Sequence, residues 1–280
     1  MTTPVYGGHE AKVYFIEEAN YGETPSGTGQ PAMVAVGIVQ DVEPALSPSL
    51  IKVRGIGSRD LQFIRKGLRQ ASLKVVYAPQ NIGFLQHVTT LTSLSVEVFY
   101  EKTSGIVSLN HKGCRIDRLT VEASAEELMK VTAELIGQNV AVATAKIGAS
   151  YGDYSATPCA WYDTYVKKGA NILERVTDYR FTIENNLRRV PVIRTTDGHL
   201  LKYLPWRHRE LAGEIACDFE TKEELDDIIN DTEYTLEFGL SGTNKALFSG
   251  CKWESNILAT RTEELVSQKL AFTAKSVTIS

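Results

Sequence analysis

The chain has little of what chemistry needs. Its four cysteines, Cys114, Cys159, Cys217 and Cys251, stand far apart and form no CxxC pair. That excludes a zinc ribbon or a thioredoxin-type motif and predicts four small buried apolar residues, not disulfides. Five histidines (His9, His87, His111, His199, His208) are scattered, with no i, i+4 pair and no acidic neighbours at ligand spacing. Surface or loop positions are expected for them, and no metal. No Walker A sequence occurs. RGIGSRD (54–60) holds a GxG, but it follows no buried parallel strand and opens no amphipathic helix. GLSGTN (239–244) lacks nucleophile-elbow spacing and reads as a hairpin turn. Cys159 and a histidine could form a thiol nucleophile pair, but nothing in the spacing fixes such a geometry. No catalytic or cofactor-binding residue emerges, and no enzyme is expected.

Also missing is any apolar run long enough to cross a bilayer, so no membrane partner is expected. MTTPVYGGHEAKVYF lacks the basic and apolar regions of a secretory signal, so none is expected to be cleaved. The net charge of -4 gives no general reason to expect tight nucleic-acid binding. With 43% hydrophobic and 23% charged residues, the composition is that of folded globular protein, and 280 residues leave room for two domains.

What is present is an internal echo. GCRIDRLTVEASAEEL (113–128) and GCKWESNILATRTEEL (250–265) open on Gly-Cys and close on Glu-Glu-Leu at the same distance. Downstream, 129–140 lies over 266–277 without a gap; upstream, 93–100 lies over 233–240 and 68–79 over 208–219. Few identities survive, so the apolar pattern carries the match. Leu94, Val96, Val98 and Tyr100 alternate with other residues as Tyr234, Leu236, Phe238 and Leu240 do, which predicts a strand with one buried face. Leu73, Val75 and Tyr77 match Gly213, Ile215 and Cys217. Met129, Val131, Ala133 and Leu135 match Val266, Gln268, Leu270 and Phe272.

One element per half breaks the period of two. In TKEELDDIIND (221–231), Thr221 and Glu224 have capping-box spacing, and Leu225, Ile228 and Ile229 follow at helical spacing. Its counterpart NIGFLQHVTTL (81–91) carries Gly and β-branched residues and predicts a shorter helix. Each half reads strand, long loop, strand, short helix, strand, hairpin, strand. The expected fold is mainly β: a β-sandwich or barrel with one short flanking helix per domain, in two tandem related domains, 1–148 and 149–280.

Charge is segregated. Lys52, Arg54, Arg59, Arg65, Lys66, Arg69 and Lys74 face only Asp60 in their stretch, and Arg188, Arg189, Arg194, Lys202, Arg207 and Arg209 form a second basic run. Glu223, Glu224, Asp226, Asp227 and Asp231 follow it as an acidic cluster. Three readings stand: solvated surfaces, basic loops of one domain meeting acidic helices of another, or basic loops against DNA phosphates. The nearby aromatics Phe63, Tyr203 and Trp206 form no stacking platform, which weakens the third.

CAWYDTYVKKGANILERVTDYRFTIENNLRRV (159–190) resembles the segment leading into the core of tail tube, or major tail, proteins of tailed bacteriophages and archaeal viruses. Trp161 and Asp163, a turn at Gly169, a strand from Tyr179 to Ile183 and Asn185-Asn186-Leu187 follow in the order that family uses. Arg209-Glu210 before a strand and acidic helix, and Glu263, Glu264 and Gln268 in the last strand, fit its later course. YFIEEANYGETPSG (14–27) resembles its usual opening. The resemblance implies a virion structural protein whose subunits close rings that stack into a hollow conduit for viral DNA. By analogy, a duplicated chain would close a trimeric ring with pseudo-six-fold symmetry.

The implied partners are further copies of the chain, tape measure, tail terminator and baseplate proteins, and passing double-stranded DNA without sequence-specific binding. The implied location is the virion tail, assembled in the host cytoplasm, and no cofactor is implied. Inter-ring or inter-subunit contacts are then expected at Arg59, Phe63, Ile64, Arg65, Lys66, Arg69, Tyr203, Trp206, Arg207, Arg209, Glu223, Glu224, Asp226 and Asp227. Loops at 54–70 and 191–208, including Leu68, Leu200 and Leu204, would reach the adjacent ring, unless they fold back on their own domain. A related tube-fold virion component and a carbohydrate-binding β-sandwich remain as alternatives; the dispersed Trp161, Trp206 and Trp253 speak against the second.

Overall fold

A computed structural model describes residues 5–26, 29–102, 105–153, 156–260 and 265–280. It is mainly β, as expected. The first half holds β1 (Ala11–Glu17), β2 (Met33–Ala35), β3 (Ile38–Val53), β4 (Phe63–Ala78), the helix α1 (His87–Thr90), β5 (Leu94–Lys102), β6 (Gly105–Ser124), β7 (Lys130–Gly137), β8 (Asn139–Ala143) and β9 (Tyr151–Gly152). Then follow β10 (Val166–Lys168), β11 (Asn171–Ile172), β12 (Val176–Glu184), β13 (Glu210–Asp218), the helix α2 (Glu223–Ile229), β14 (Tyr234–Ser241), β15 (Asn244–Ala259), β16 (Ser267–Thr273) and β17 (Ser276–Ile279).

An antiparallel sheet in the order β3-β4-β7-β6-β12-β13-β16-β15 runs through both halves. Two smaller sheets lie beside it, β8-β6-β5-β1-β2-β9 and β17-β15-β14-β10-β11. The long strands β6 and β15 therefore each belong to two sheets. The Gly-Cys pairs mark where they change sheet. Gly113 and Gly250 sit at φ 63° and 65°, a left-handed conformation that glycine adopts without steric penalty. The ladder slips beside each one, with Leu94 opposite Cys114 and Tyr234 opposite Cys251.

The same order of pairing occurs on either side of the junction between β6 and β12. β4 meets β7 with Leu73 opposite Leu135 and Tyr77 opposite Val131; β13 meets β16 with Gly213 opposite Phe272 and Cys217 opposite Gln268. A bulge after Ile116 in β6 has its like after Trp253 in β15, and one after Val39 in β3 has its like after Val176 in β12.

One core fills the space between the large sheet and the smaller ones. Val75, Leu119, Val131, Phe181, Ile215 and Phe272 from the large sheet meet Phe15, Val98, Phe238 and Phe248, all buried. Phe181 and Phe248 lie 5.1 Å apart between ring centroids, and Phe238 and Phe272 5.8 Å. Each such side chain contributes about 1.5–3 kcal/mol by leaving water.

The structure corrects three expectations. Most of the expected 54–70 loop is strand, because β4 begins at Phe63 and forms with β3 a hairpin paired out to Val53–Phe63. Both faces of its outer part are wet, so polar and apolar residues mix and no period of two is visible there. The capping box at Thr221 is not made: α2 starts after Lys222 with no side-chain cap. Glu224 instead turns inward, fully buried, to pair with Arg175, which rotates Ile228 and Ile229 out to solvent. Finally, His87 and His111 are buried, not superficial. His111 lies on β6 between Val96 and Val140, where burial pushes its pKa down to about 4, and burial likewise lowers that of His87. Glu263 and Glu264 lie outside the described residues.

Candidate assembly surface

The large sheet ends on two unlike edges. At one end β3 pairs only with β4; at the other, the 253–259 part of β15 pairs only with β16, among the described residues. In mid-sheet the matching strands β12 and β6 do pair, with Tyr179 opposite Ala123, Phe181 opposite Val121 and Ile183 opposite Leu119. All six of these side chains are buried. Along the other face of that junction, Arg118 meets Glu184 at 2.8 Å, Arg180 meets Glu122 at 3.2 Å and Thr120 meets Thr182 at 3.2 Å.

On the open edges, apolar side chains stand in solvent. Leu46 is 47% exposed, Ile257 59% and Leu258 40%. Ile257-Leu258 inside SNILAT is an apolar pair in a polar run, as is Leu50-Ile51 further along β3, whereas Leu46 stands alone between Ala45 and Ser47. An exposed strand edge with such side chains is a template for another strand.

Of the expected contact residues, Arg59, Phe63, Ile64, Arg65 and Lys66 lie exposed at the turn and outer arm of the β3–β4 hairpin, beside exposed Leu50, Ile51 and Ile56. Arg69 sits further in: its guanidinium donates to Asn139 Oδ1 at 2.5 Å and its backbone N–H to the His199 carbonyl at 2.7 Å. The second basic segment is divided. Leu200, Leu201 and Leu204 are buried, so Leu200 and Leu204, expected to reach outward, do not. Arg115 donates to the Leu204 carbonyl at 2.8 Å and Gln138 to that of Leu201 at 2.9 Å. Tyr203, Trp206, Arg207 and Arg209 stay exposed, and the Arg115 guanidinium lies 5.6 Å from the Trp206 ring. Between this segment and the first half lies a groove of about 860 Å³ that Tyr21, Arg115, Arg194, Lys202, Tyr203 and Trp206 help to line.

The acidic helix is largely occupied within the chain. Glu224 is held by Arg175; Glu223, at 2.7 Å, and Asp227 both hold Lys168; Asp226 pairs with Lys222 at 3.2 Å. Burial works to lower the Lys168 pKa, but Asp227 and Glu223 outweigh it and raise it. The sequence places these acids on one helix but cannot show that the cations of Glu223, Glu224 and Asp227 come from β10 and the turn before β12.

The four thiols are unpaired and buried. Burial pushes Cys159 up to about 12, Cys217 and Cys251 up to about 11, and Cys114 higher still, so none is a thiolate at neutral pH. Among the described residues no cluster of His, Cys, Asp and Glu could hold a metal ion, and no helix is long and apolar enough to cross a membrane.

A family model described as "Phage tail tube protein" matches residues 8–274. The chain belongs to the phage tail tube protein family. No curated protein matches it by sequence. Among solved structures it is similar to a chain of the native gene transfer agent virion, at 11% identity and a TM-score of 0.36, over 42% of this chain and 96% of that one. As a phage tail tube protein it is a virion structural component of mainly β architecture. Its functional surface is then to be sought among exposed edges and hairpins.

Proposed function

We propose that this chain is the major tail tube subunit, closing rings that stack into the conduit for viral DNA. The observation that carries this reading is the pair of open edges on the large sheet, each matching a strand that is paired in mid-sheet. Residues 1–148 and 149–280 act as two related tube domains, so three chains supply six around the axis. The unlike edges suit head-to-tail contacts, which can close into a ring. The β3–β4 hairpin, with Phe63, Ile64 and its arginines, reaches the next ring, an apolar patch rimmed by charge. Exposed Tyr203, Trp206, Arg207 and Arg209 add to that contact. Tape measure, terminator and baseplate proteins meet the tube at its ends, DNA passes without sequence-specific binding, and no catalysis takes place.

Electron microscopy of the purified protein tests this. Stacked rings support it; single closed rings point to a terminator, and monodisperse monomers to a binding module. Arg207→Glu with Arg209→Glu should leave the monomer folded by circular dichroism and abolish tubes. Normal polymerisation of that variant would remove the second basic segment from the interface.

A further inference from the structure

Because the mid-sheet junction and the two open edges have the same local construction, the register of the contact between chains can be read from the contact within one. On β3, Val42, Pro44 and Leu46 face Val75, Leu73 and Ala71 of β4; on β12, Tyr179, Phe181 and Ile183 face Ile215, Gly213 and Leu211 of β13. On β15, Asn256 and Leu258 face Leu270 and Gln268 of β16; on β6, Leu119 and Val121 face Ala133 and Val131 of β7. Each strand also carries its bulge at the matching place. Val42 and Pro44 are only half-buried where Tyr179 and Phe181 are fully buried, as a junction with one strand missing requires.

We propose that β3 of one copy pairs antiparallel with residues 255–260 of a second copy, with Leu46 opposite Asn256, Pro44 opposite Leu258 and Val42 opposite Thr260. This rests on the tube reading above and adds its register. On the other face, Ser47 then meets Ser255, Ala45 meets Ile257 and Glu43 meets Ala259. The chemistry of the two junctions differs. Within the chain, that face carries two ion pairs; between chains, none of these three pairs joins opposite charges. The contact between copies is held by backbone hydrogen bonds and by Leu46, Ile257 and Leu258, and is little affected by salt. Pro44 and Pro48 deprive β3 of two donors while keeping their carbonyl acceptors, which makes β3 a poorer template for any strand and gives side-chain fit more weight in the choice of partner.

Directly opposed residues in such a ladder have Cβ atoms about 4.5–5.5 Å apart, close enough for engineered cysteines to be joined with a small backbone adjustment. The test is the full chain carrying Ala45→Cys and Ile257→Cys, assembled and oxidised, beside Ala45→Cys with Ala259→Cys as a control shifted by two residues. Both sites are exposed, so folding is not at stake, and the native thiols are buried. Gels without reductant should show most of the first variant as linked multimers and little of the second. A preference for the shifted pair, or rings in the microscope with neither pair linked, would overturn the register and leave the tube reading intact. A wild-type protein that forms no rings or tubes would overturn the tube reading, and this inference with it.

Discussion

β12 and β3 occupy matching places in the large sheet, yet one is closed and the other open. β12 has a neighbour on each side and buries Tyr179, Phe181 and Ile183; β3 has one neighbour and leaves Leu46 in solvent where β12 buries Ile183. In the proposed ring the difference lies in whether the next strand belongs to the same chain. A side chain's contribution to monomer stability and its contribution to assembly can therefore be separated by comparing matched positions.

The sharpest way to break the comparison is to truncate one matched pair. Ile183→Ala should destabilise the monomer by about 2–5 kcal/mol in urea, the usual effect of emptying a core site. Leu46→Ala should change the same midpoint by no more than about 0.5 kcal/mol while reducing assembly. Equal losses in the monomer would mean that the β3 edge is not open in solution.

A comparable effect is expected from acid, and it should come from the closed part of the molecule. His111 keeps a pKa of about 4 when folded, against an ordinary value near 6.5 in the unfolded chain. Between those two values only the unfolded chain takes up the proton. Stability therefore falls as pH drops from about 6.5 toward 4, by an amount on the order of 3 kcal/mol. His111→Gln should flatten that slope in urea titrations across the window. An unchanged slope would assign the acid sensitivity elsewhere.

The smallest effect is expected at the ion pairs that only the internal junction has. Swapping the charges with Arg118→Glu and Glu184→Arg should shift monomer stability by less than about 1 kcal/mol, since the pair is partly exposed. Adding salt should change wild-type stability only slightly, and the closing of single rings no more.

How much of this was legible in the sequence follows from which faces are wet. β14, β7 and the inner part of β4 bury mainly one face, so alternation announced them, and the match between Leu73 and Gly213 has its place in the ladders. β5, expected to bury one face, buries both over Leu94–Phe99; its second face carries Ser95 and Glu97, so the alternation of residue types survived without marking a wet side. The outer hairpin buries neither face and left no period. On α2, the burial of Glu224 by Arg175 inverted the apolar pattern, because an ion pair across 49 residues leaves no local mark. His87 and His111 resemble loop histidines in sequence, since nothing beside them declares the strands and helices that cover them. The open edges carried a signal, apolar pairs in polar runs, that only the topology turns into a surface.

The passage of β6 through two sheets has a consequence for how the molecule opens. Hydrogen bonds at 105–114 hold it to β5 and β8, and those at 115–124 to β7 and β12, with one unbroken backbone between. β15 repeats the arrangement from Asn244 to Ala259. Neither sheet can fray alone along these strands without pulling on the other, so amide exchange on either side of Gly113, and of Gly250, should follow one opening event.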